Sequence, residues 1–170
     1  MNSETKEILR SMGRQDKQFE GLYRSLASVF QFPDCSMWIM YYLAMENAPL
    51  TQHELIDRMM YSKQTIHSAV SWLVKKGWVR LETNPASRSS KFVILTDEGK
   101  QAAEGTVCRI LSAEAKAVDA VGKDKMEQFI ALQEELSKQF LSAFQAEGLL
   151  DMEQDMEPVE IWHKSAGGEE

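Results

Sequence analysis

Apolar residues recur every three or four positions at both ends of the chain. Residues 50–96 instead combine two short helical patterns with segments rich in β-branched and aromatic residues. The helical spacing over residues 5–32 predicts one long amphipathic helix, which Pro33 ends. A further helix is predicted over residues 35–46, which are rich in aromatic and aliphatic side chains. The N-terminal third of the chain is therefore expected to be helical.

The C-terminal region predicts two more long helices. Thr96 is placed to cap a helix over residues 97–121, and Gly122 is suited to end it. The pattern then repeats over residues 123–146. A small domain cannot bury three such apolar stripes by itself, so we expect them to pack on each other and on a second copy of the chain.

Two short helices are predicted in the first half of residues 50–96. Thr51 and Glu54 have the spacing of a capping box, in which a hydroxyl and a carboxylate satisfy backbone amides at a helix start. Ser62 is suited to cap the second helix, and Gly77 can adopt the left-handed conformation that ends it. The apolar residues of this second helix share one face, which predicts its buried side: Ile66, Ala69, Val70, Leu73 and Val74.

A β-hairpin is predicted after the second helix. Two segments rich in β-branched and aromatic residues, 78–83 and 92–95, flank the polar loop 84–91. This loop carries Arg88 and Lys91 and has no acidic residue. Two short helices followed by a hairpin are the order of a winged helix-turn-helix, a structure that places one helix in a DNA groove.

The predicted fold class is therefore mainly α with a small β-hairpin wing, a winged helix-turn-helix flanked by N- and C-terminal dimerisation helices. The expected domain organisation has an N-terminal dimerisation helix, a DNA-binding domain, a pair of C-terminal dimerisation helices and an acidic tail. Their predicted ranges are 1–33, 34–96, 97–147 and 148–170.

Charge is unevenly distributed along the chain. The net charge is −7, but residues 50–96 hold seven basic and three acidic residues, a local balance of +4. Residues 147–170 hold one Lys against eight acidic residues. Because neutralisation of phosphates is local, the basic segment favours a nucleic-acid partner despite the acidic total.

Several classes of protein are disfavoured. No apolar run is long enough to cross a bilayer and the N-terminus lacks a hydrophobic signal region, so we expect a cytoplasmic protein without a membrane partner. Cys35 and Cys108 are too few for a disulfide framework, and His53, His67 and His163 share no metal-type spacing. Phosphate-binding glycine loops and catalytic triad motifs are absent from the sequence. We expect no enzymatic activity, no metal and no cofactor.

The segments of the middle region occur in a recognisable order. They are Leu-Thr-Gln-His-Glu-Leu at 50–55, Ser-Lys-Gln-Thr-Ile at 62–66, Leu-Val-Lys-Lys-Gly-Trp-Val at 73–79, then Arg88, and Leu-Thr-Asp-Glu-Gly at 95–99. With helix-rich ends, this order resembles the MarR family of bacterial transcriptional regulators over residues 5–146. The resemblance implies a homodimer that binds a pseudo-palindromic operator, usually as a repressor, and is often released by small phenolic ligands or thiol oxidation.

The resemblance also implies which residues contact double-stranded DNA. Residues 62–68 would lie in the major groove, and Arg88 at the wing tip would reach into the minor groove. Ser87 stands where the family typically has an aspartate that orients this arginine, and Ser68 stands where an arginine is frequent, so fewer contacts are expected. The predicted DNA-binding residues are Ser62, Lys63, Gln64, Thr65, His67, Ser68, Arg88 and Lys91. An idle, solvated role is the alternative for His67.

Three further features leave alternatives open. The aromatic residues Phe19, Tyr23, Trp38 and Tyr42 could line a site for a small aromatic effector, although aromatic stripes at helical spacing more often form core. Cys35 lies in the first turn of its predicted helix, where the dipole would lower a thiol pKa and favour redox sensing, but a buried inert thiol is the commoner case. Trp72 could cover the hairpin, contact DNA or pack on a neighbouring helix.

The function expected from these observations is a sequence-specific DNA-binding transcriptional regulator, in keeping with a repressor released by an aromatic ligand. Two alternatives remain. One is a winged-helix module that docks on a partner protein, supported by the acidic tail and by Ser68 and Ser87. The other is a thiol-based redox-sensing regulator. The operator, the target genes and the effector are not encoded in any pattern that the chain displays.

Overall fold

The computed structural model describes residues 1–150, apart from the side chains of residues 88 and 89. The predicted acidic tail therefore lies almost entirely outside the described residues. Within them the chain forms helices α1 (Ser3–Val29), α2 (Asp34–Glu46), α3 (Gln52–Met59), α4 (Lys63–Lys75), α5 (Asp97–Gly105), α6 (Val107–Val121) and α7 (Lys123–Ala146). The strands are β1 (Leu50–Thr51), β2 (Val79–Asn84) and β3 (Ser87–Leu95). The mainly α fold class with a hairpin wing is confirmed.

Helix α2 is the centre of the core. Met37, Ile39, Met40 and Leu43 are each at most 2% exposed. The helix contacts α1, α3, α4, α5 and α6. Because it is apolar around its whole circumference, it can be buried on all sides. These five helices pack around it and together enclose the core.

The predicted helix-turn-helix is present. Glu54 Oε2 accepts a 2.6 Å hydrogen bond from the amide of Thr51, and Thr51 Oγ1 accepts one from the amide of Glu54 at 3.2 Å, which completes the capping box. Ser62 Oγ accepts from the amide of Thr65 at 3.2 Å at the start of α4. The predicted buried face of α4 is confirmed for all its residues except Val74, which is 41% exposed.

The hairpin differs from the prediction in length. β2 and β3 are joined by a two-residue turn, Pro85 and Ala86, instead of an eight-residue loop, and Asn84 Oδ1 accepts from the amide of Ala86 at 2.9 Å. β3 begins at Ser87, so Arg88 and Lys91 lie within this strand. Residues 87–91 are all polar. This part of β3 therefore lacks the alternation of apolar and polar residues from which a strand is predicted. β1 adds a third strand on the other side of β3, giving the antiparallel order β1-β3-β2.

The predicted helix over residues 97–121 is broken in two. Thr106 has φ −131° and ψ −93°, outside the helical region, and it separates α5 from α6. Its hydroxyl donates a 2.5 Å hydrogen bond to the carbonyl of Ala102. The apolar spacing continues across this break, because α5 and α6 both pack on α2, and the spacing alone therefore does not reveal it.

Helices α1 and α7 form two arms whose apolar residues are largely exposed. In the described chain α7 contains no buried residue, and it packs mainly against α6. The exposed apolar residues of the arms include Ile8, Leu9, Phe19, Leu22 and Val29 on α1 and Phe129, Ile130, Leu132, Leu136 and Phe144 on α7. No helix within residues 1–150 combines the length and the apolar character that crossing a membrane requires.

Candidate nucleic-acid interface

One side of α4 is buried and the other is polar and open to solvent. Ile66, Val70 and Leu73 are at most 1% exposed and anchor the helix on the core. The predicted DNA-binding residues of this helix and its cap are all exposed: Ser62, Lys63, Gln64, Thr65, His67 and Ser68. We call these six residues the reading face.

The side chains of the reading face are not equally free to bind a ligand. Ser62 caps the helix, and its hydroxyl also lies 2.8 Å from that of Thr65, so these two hydroxyls are partly engaged with each other. Within residues 1–150, the side chains of Lys63, Gln64, His67 and Ser68 have no hydrogen bond or ion pair. These four side chains are therefore the members most available for contact with a partner molecule.

The start of α4 is held against α2. The hydroxyl of Tyr61, directly before the helix, donates a hydrogen bond to the carboxylate of Asp34. The Sγ atom of Cys35 lies 4.0 Å from the carbonyl oxygen of Thr65. Both contacts come from the first turn of α2, so the core helix positions the reading face.

The end of α4 is held by aromatic packing, which decides the role of Trp72. Its ring is half-buried and lies edge-on to Trp78 at 5.8 Å and 6.2 Å from Phe32. The Lys76 ammonium lies 5.2 Å from the centre of the Trp72 ring. Trp72 therefore packs against the base of the hairpin and the α1–α2 connection, and it does not belong to the reading face.

Several exposed lysines of α4 and the wing are without an acidic partner. Lys91 is exposed on β3 opposite Thr83. Lys63, Lys75 and Lys91 have no carboxylate partner in the described chain. Arg80, by contrast, pairs with Glu82 of the same strand. These three lysines favour an anionic partner for α4 and the wing.

The predicted effector residues separate into two groups. Tyr23, Trp38 and Tyr42 pack in a row with tilted rings, whose centres are 4.8 Å apart for Tyr23 and Trp38 and 6.4 Å for Trp38 and Tyr42. A groove of about 580 Å³ between α1 and α6 is lined by Phe19 and Tyr23 but not by Trp38 or Tyr42. The remaining lining is Leu22, Ser25, Leu26, Val29, Phe30, Arg109, Ile110, Ala113, Glu114 and Ala117.

Glu114 is a residue of this region that the sequence did not indicate. Its carboxylate accepts hydrogen bonds from the hydroxyls of Tyr23 and Tyr41, the latter at 2.6 Å. Burial and this carboxylate raise the pKa of both tyrosines well above the usual value. The three residues come from α1, α2 and α6, and no spacing in the sequence relates them.

Cys35 does not have the properties expected of a redox sensor. It is 7% exposed, and burial raises the pKa of its thiol to about 11, with Asp34 contributing in the same direction. The predicted lowering by the helix dipole is therefore wrong, because desolvation and a neighbouring carboxylate outweigh it.

Comparison with known proteins identifies relatives of this fold. The MarR family model matches residues 36–88. A MarR family transcriptional regulator from Streptomyces coelicolor, solved in complex with DNA, superposes with a TM-score of 0.66 at 23% identity, over 91% of this chain and 93% of that one. A MarR family regulator from Neisseria meningitidis gives a TM-score of 0.71 at 17% identity, over 86% and 99%.

A third structure, NadR in complex with 4-hydroxyphenylacetate, gives a TM-score of 0.60 at 20% identity, over 77% of this chain and 92% of that one. A sequence comparison with curated proteins gives no significant match. The fold and the exposed reading face define a winged helix-turn-helix protein. More particularly, the resemblance to the MarR family is confirmed: residues 36–88 match the MarR family model, and the chain has the fold of solved MarR family transcriptional regulators.

Proposed function

We propose that this protein is a transcriptional regulator that binds duplex DNA as a homodimer, with α4 of each copy in a major groove. The observation that carries the proposal is the reading face, where Lys63 and Gln64 stand exposed and unpaired on a helix anchored by a buried opposite side. An α-helix fits the major groove of B-DNA, where a glutamine amide can pair with adenine and a lysine can neutralise a phosphate.

The hairpin supplies the second contact. Arg88 follows the Pro85-Ala86 turn by two residues, so the backbone brings it to the tip of the wing. A narrow minor groove attracts arginine through its enhanced negative potential. Lys91 and Lys75 add positive charge that can bind the phosphates next to the major-groove and minor-groove contacts. Ser87 and Ser68 contribute no charge, so we expect a moderate affinity that depends mainly on Lys63, Gln64, Thr65 and Arg88.

Dimerisation supports this function through the arms. Large apolar residues on both α1 and α7 are exposed in a single copy of the chain, and exposed apolar surface of this kind is typical of protein interfaces. Packing two copies through these arms buries that surface and gives a two-fold dimer. A dimer of this kind binds two half-sites whose centres are about 34 to 36 Å apart, which is one turn of the double helix.

A selection from a random duplex library tests the proposal. We expect the protein to enrich a pseudo-palindromic sequence, and Gln64→Ala to relax the base preference without abolishing binding. Affinity for the selected duplex should fall steeply with salt, because phosphate contacts release counterions. A protein-interaction module would enrich no duplex, and its binding to a partner would change little with salt.

We further propose that a small aromatic acid bound in the groove between α1 and α6 releases the protein from DNA, so that it acts as a repressor. The groove has apolar walls, and the exposed guanidinium of Arg109 has no carboxylate partner among residues 1–150. One fold relative was crystallised with 4-hydroxyphenylacetate. The groove also reaches Tyr23 and Glu114, which connect it to α2 and hence to the start of α4.

The effector proposal is tested with 4-hydroxyphenylacetate itself. We expect it to weaken binding to the selected duplex and to bind less well to Arg109→Ala, because the carboxylate loses its cation. Lys116→Ala removes a nearby cation outside this groove and is the matched control. A transcription assay on a promoter carrying the selected duplex decides the sign of regulation. If the acid does not bind to the protein and does not change its affinity for the selected duplex, this ligand is not the effector.

A further inference from the structure

Thr96, between β3 and α5, connects three structural elements. Its hydroxyl donates a 2.6 Å hydrogen bond to the carbonyl of Gly77, at the end of α4. Its amide donates at 3.0 Å to the carbonyl of Trp78, at the base of the wing. The same hydroxyl accepts at 2.9 Å from the amide of Gly99, in the first turn of α5. One residue thus joins the reading helix, the wing and α5 through its hydroxyl and its amide.

Gly99 allows these elements to approach closely. It is buried, and a Cβ added at this position would overlap the carbonyl oxygen of Trp78 well inside van der Waals contact. Because of this overlap, the packing of α5 on the Trp78 backbone requires a residue without a side chain. It does so although a glycine within a helix costs about 1 kcal/mol relative to alanine. Gly105, at the other end of α5, has open space around its Cβ position.

The backbone held by Thr96 and Gly99 is also the backbone that ends α4. The amide of Gly77 donates to the carbonyl of Val74 at 2.9 Å, and the amide of Trp78 donates to that of Leu73 at 3.1 Å, which is the pattern of a Schellman motif. Gly77 has a φ of +75° in this turn. The Trp78 ring packs on Phe32 at 5.2 Å. A displacement of α5 therefore moves the end of the reading helix and the start of the wing together.

We propose that Thr96 and Gly99 are positioning residues for DNA binding, which fix the orientation of α4 and the wing relative to the helices that carry the dimer interface. The inference rests on the proposed function. In a two-fold dimer the distance between the two α4 helices depends on how each reading unit is joined to its arms. Because the spacing of successive major grooves is set by the DNA, only a narrow range of orientations lets both helices bind at once.

The test compares Gly99→Ala with Gly105→Ala, the same substitution in the same helix at a position with space. The probes are the duplex selected by the unmodified protein, versions with one or two base pairs added or removed between the half-sites, and a single half-site. We expect Gly99→Ala to bind the selected duplex about tenfold or more weakly and to prefer a different spacing, because loss of simultaneous binding removes the avidity gain. Its affinity for the single half-site should stay within about twofold, since the reading face is unchanged. Gly105→Ala should behave as the unmodified protein.

An equal loss on the full duplex and on the half-site would overturn the inference, and so would an unchanged affinity with an unchanged spacing preference. If Gly99→Ala does not fold, Thr96→Val decides the question, because it removes the hydroxyl without adding bulk, and Thr96→Ser should restore the original spacing preference. Failure of the unmodified protein to select any duplex would contradict the proposed function, and the inference would fall with it.

Discussion

The hydroxyl of Tyr41 in α2 donates a 2.6 Å hydrogen bond to the carboxylate of Glu114 in α6. Tyr23 in α1 donates to the other oxygen of the same carboxylate. One acidic side chain therefore links both neighbouring helices to the central helix of the core. The first turn of the same helix α2 contacts Tyr61 and Thr65, so α2 is in contact both with this carboxylate and with the start of α4.

Replacing Glu114 with Ala should lower the free energy of unfolding by about 1 to 3 kcal/mol, because two tyrosine hydroxyls lose a charged acceptor. Glu114→Gln keeps one acceptor oxygen and should cost less. Urea denaturation measures both. The same variants should lower the pKa of Tyr23 and Tyr41, which an alkaline absorbance titration follows. A titration identical to that of the unmodified protein would contradict the assigned hydrogen bonds.

Removing the unpaired lysines of the reading face and of the wing should reduce the salt dependence of DNA binding. Each of Lys63→Ala and Lys91→Ala should lower the slope of log affinity against log salt by about 1, because each removes a phosphate contact. The loss should be similar for every duplex sequence tried. Lys6→Ala, an exposed lysine near the start of α1, is the control and should leave the slope unchanged.

Replacing Arg88 with Ala should weaken binding to all duplexes by about 1 to 3 kcal/mol, if the wing enters the minor groove. The matched control is Arg80→Ala, since Arg80 lies on the same hairpin but is paired with Glu82. Fluorescence anisotropy with a labelled duplex measures both variants. Equal binding isotherms for Arg88→Ala and the unmodified protein would show that Arg88 on the wing does not contribute to DNA binding.

Cys35 should react slowly with thiol reagents in the folded protein. With a pKa of about 11 in place of 9.0, its thiolate fraction at pH 8 is lower by about two orders of magnitude. The rate of alkylation in Cys108→Ser should therefore keep rising tenfold per pH unit beyond pH 9. The urea-unfolded protein is the control and should level off near pH 9. A folded-state rate that levels off below pH 9 would restore the hypothesis of a reactive thiol.

Local signals in the sequence were sufficient for most helix boundaries and for the reading face. The capping residues Thr51, Ser62 and Thr96 satisfy amides within three residues of themselves, so their role is visible in a short window. The buried face of α4 follows from helical spacing in the same way. Val74 is the exception, because it lies at the edge of the apolar stripe, where the extent of coverage depends on neighbouring elements.

Other features could not be predicted because they depend on contacts between distant segments. The break at Thr106 and the length of β3 are set by packing and by strand pairing, while the sequence there stays periodic or uniformly polar. The role of Trp72 depends on Trp78 and Phe32, which only the fold brings beside it. For Cys35 the sequence left a reactive and a buried inert thiol open, and its burial, which the sequence does not display, raises the thiol pKa.

The order of the helices, the capping of α3, α4 and α5, and the polar character of the reading face follow from the amino-acid sequence alone. These features depend on hydrogen bonds and side-chain periodicity within a few residues. The contacts of Glu114 with Tyr23 and Tyr41, and of Gly99 with Trp78, exist only in the folded chain, since each requires elements far apart in the chain to meet at atomic distance.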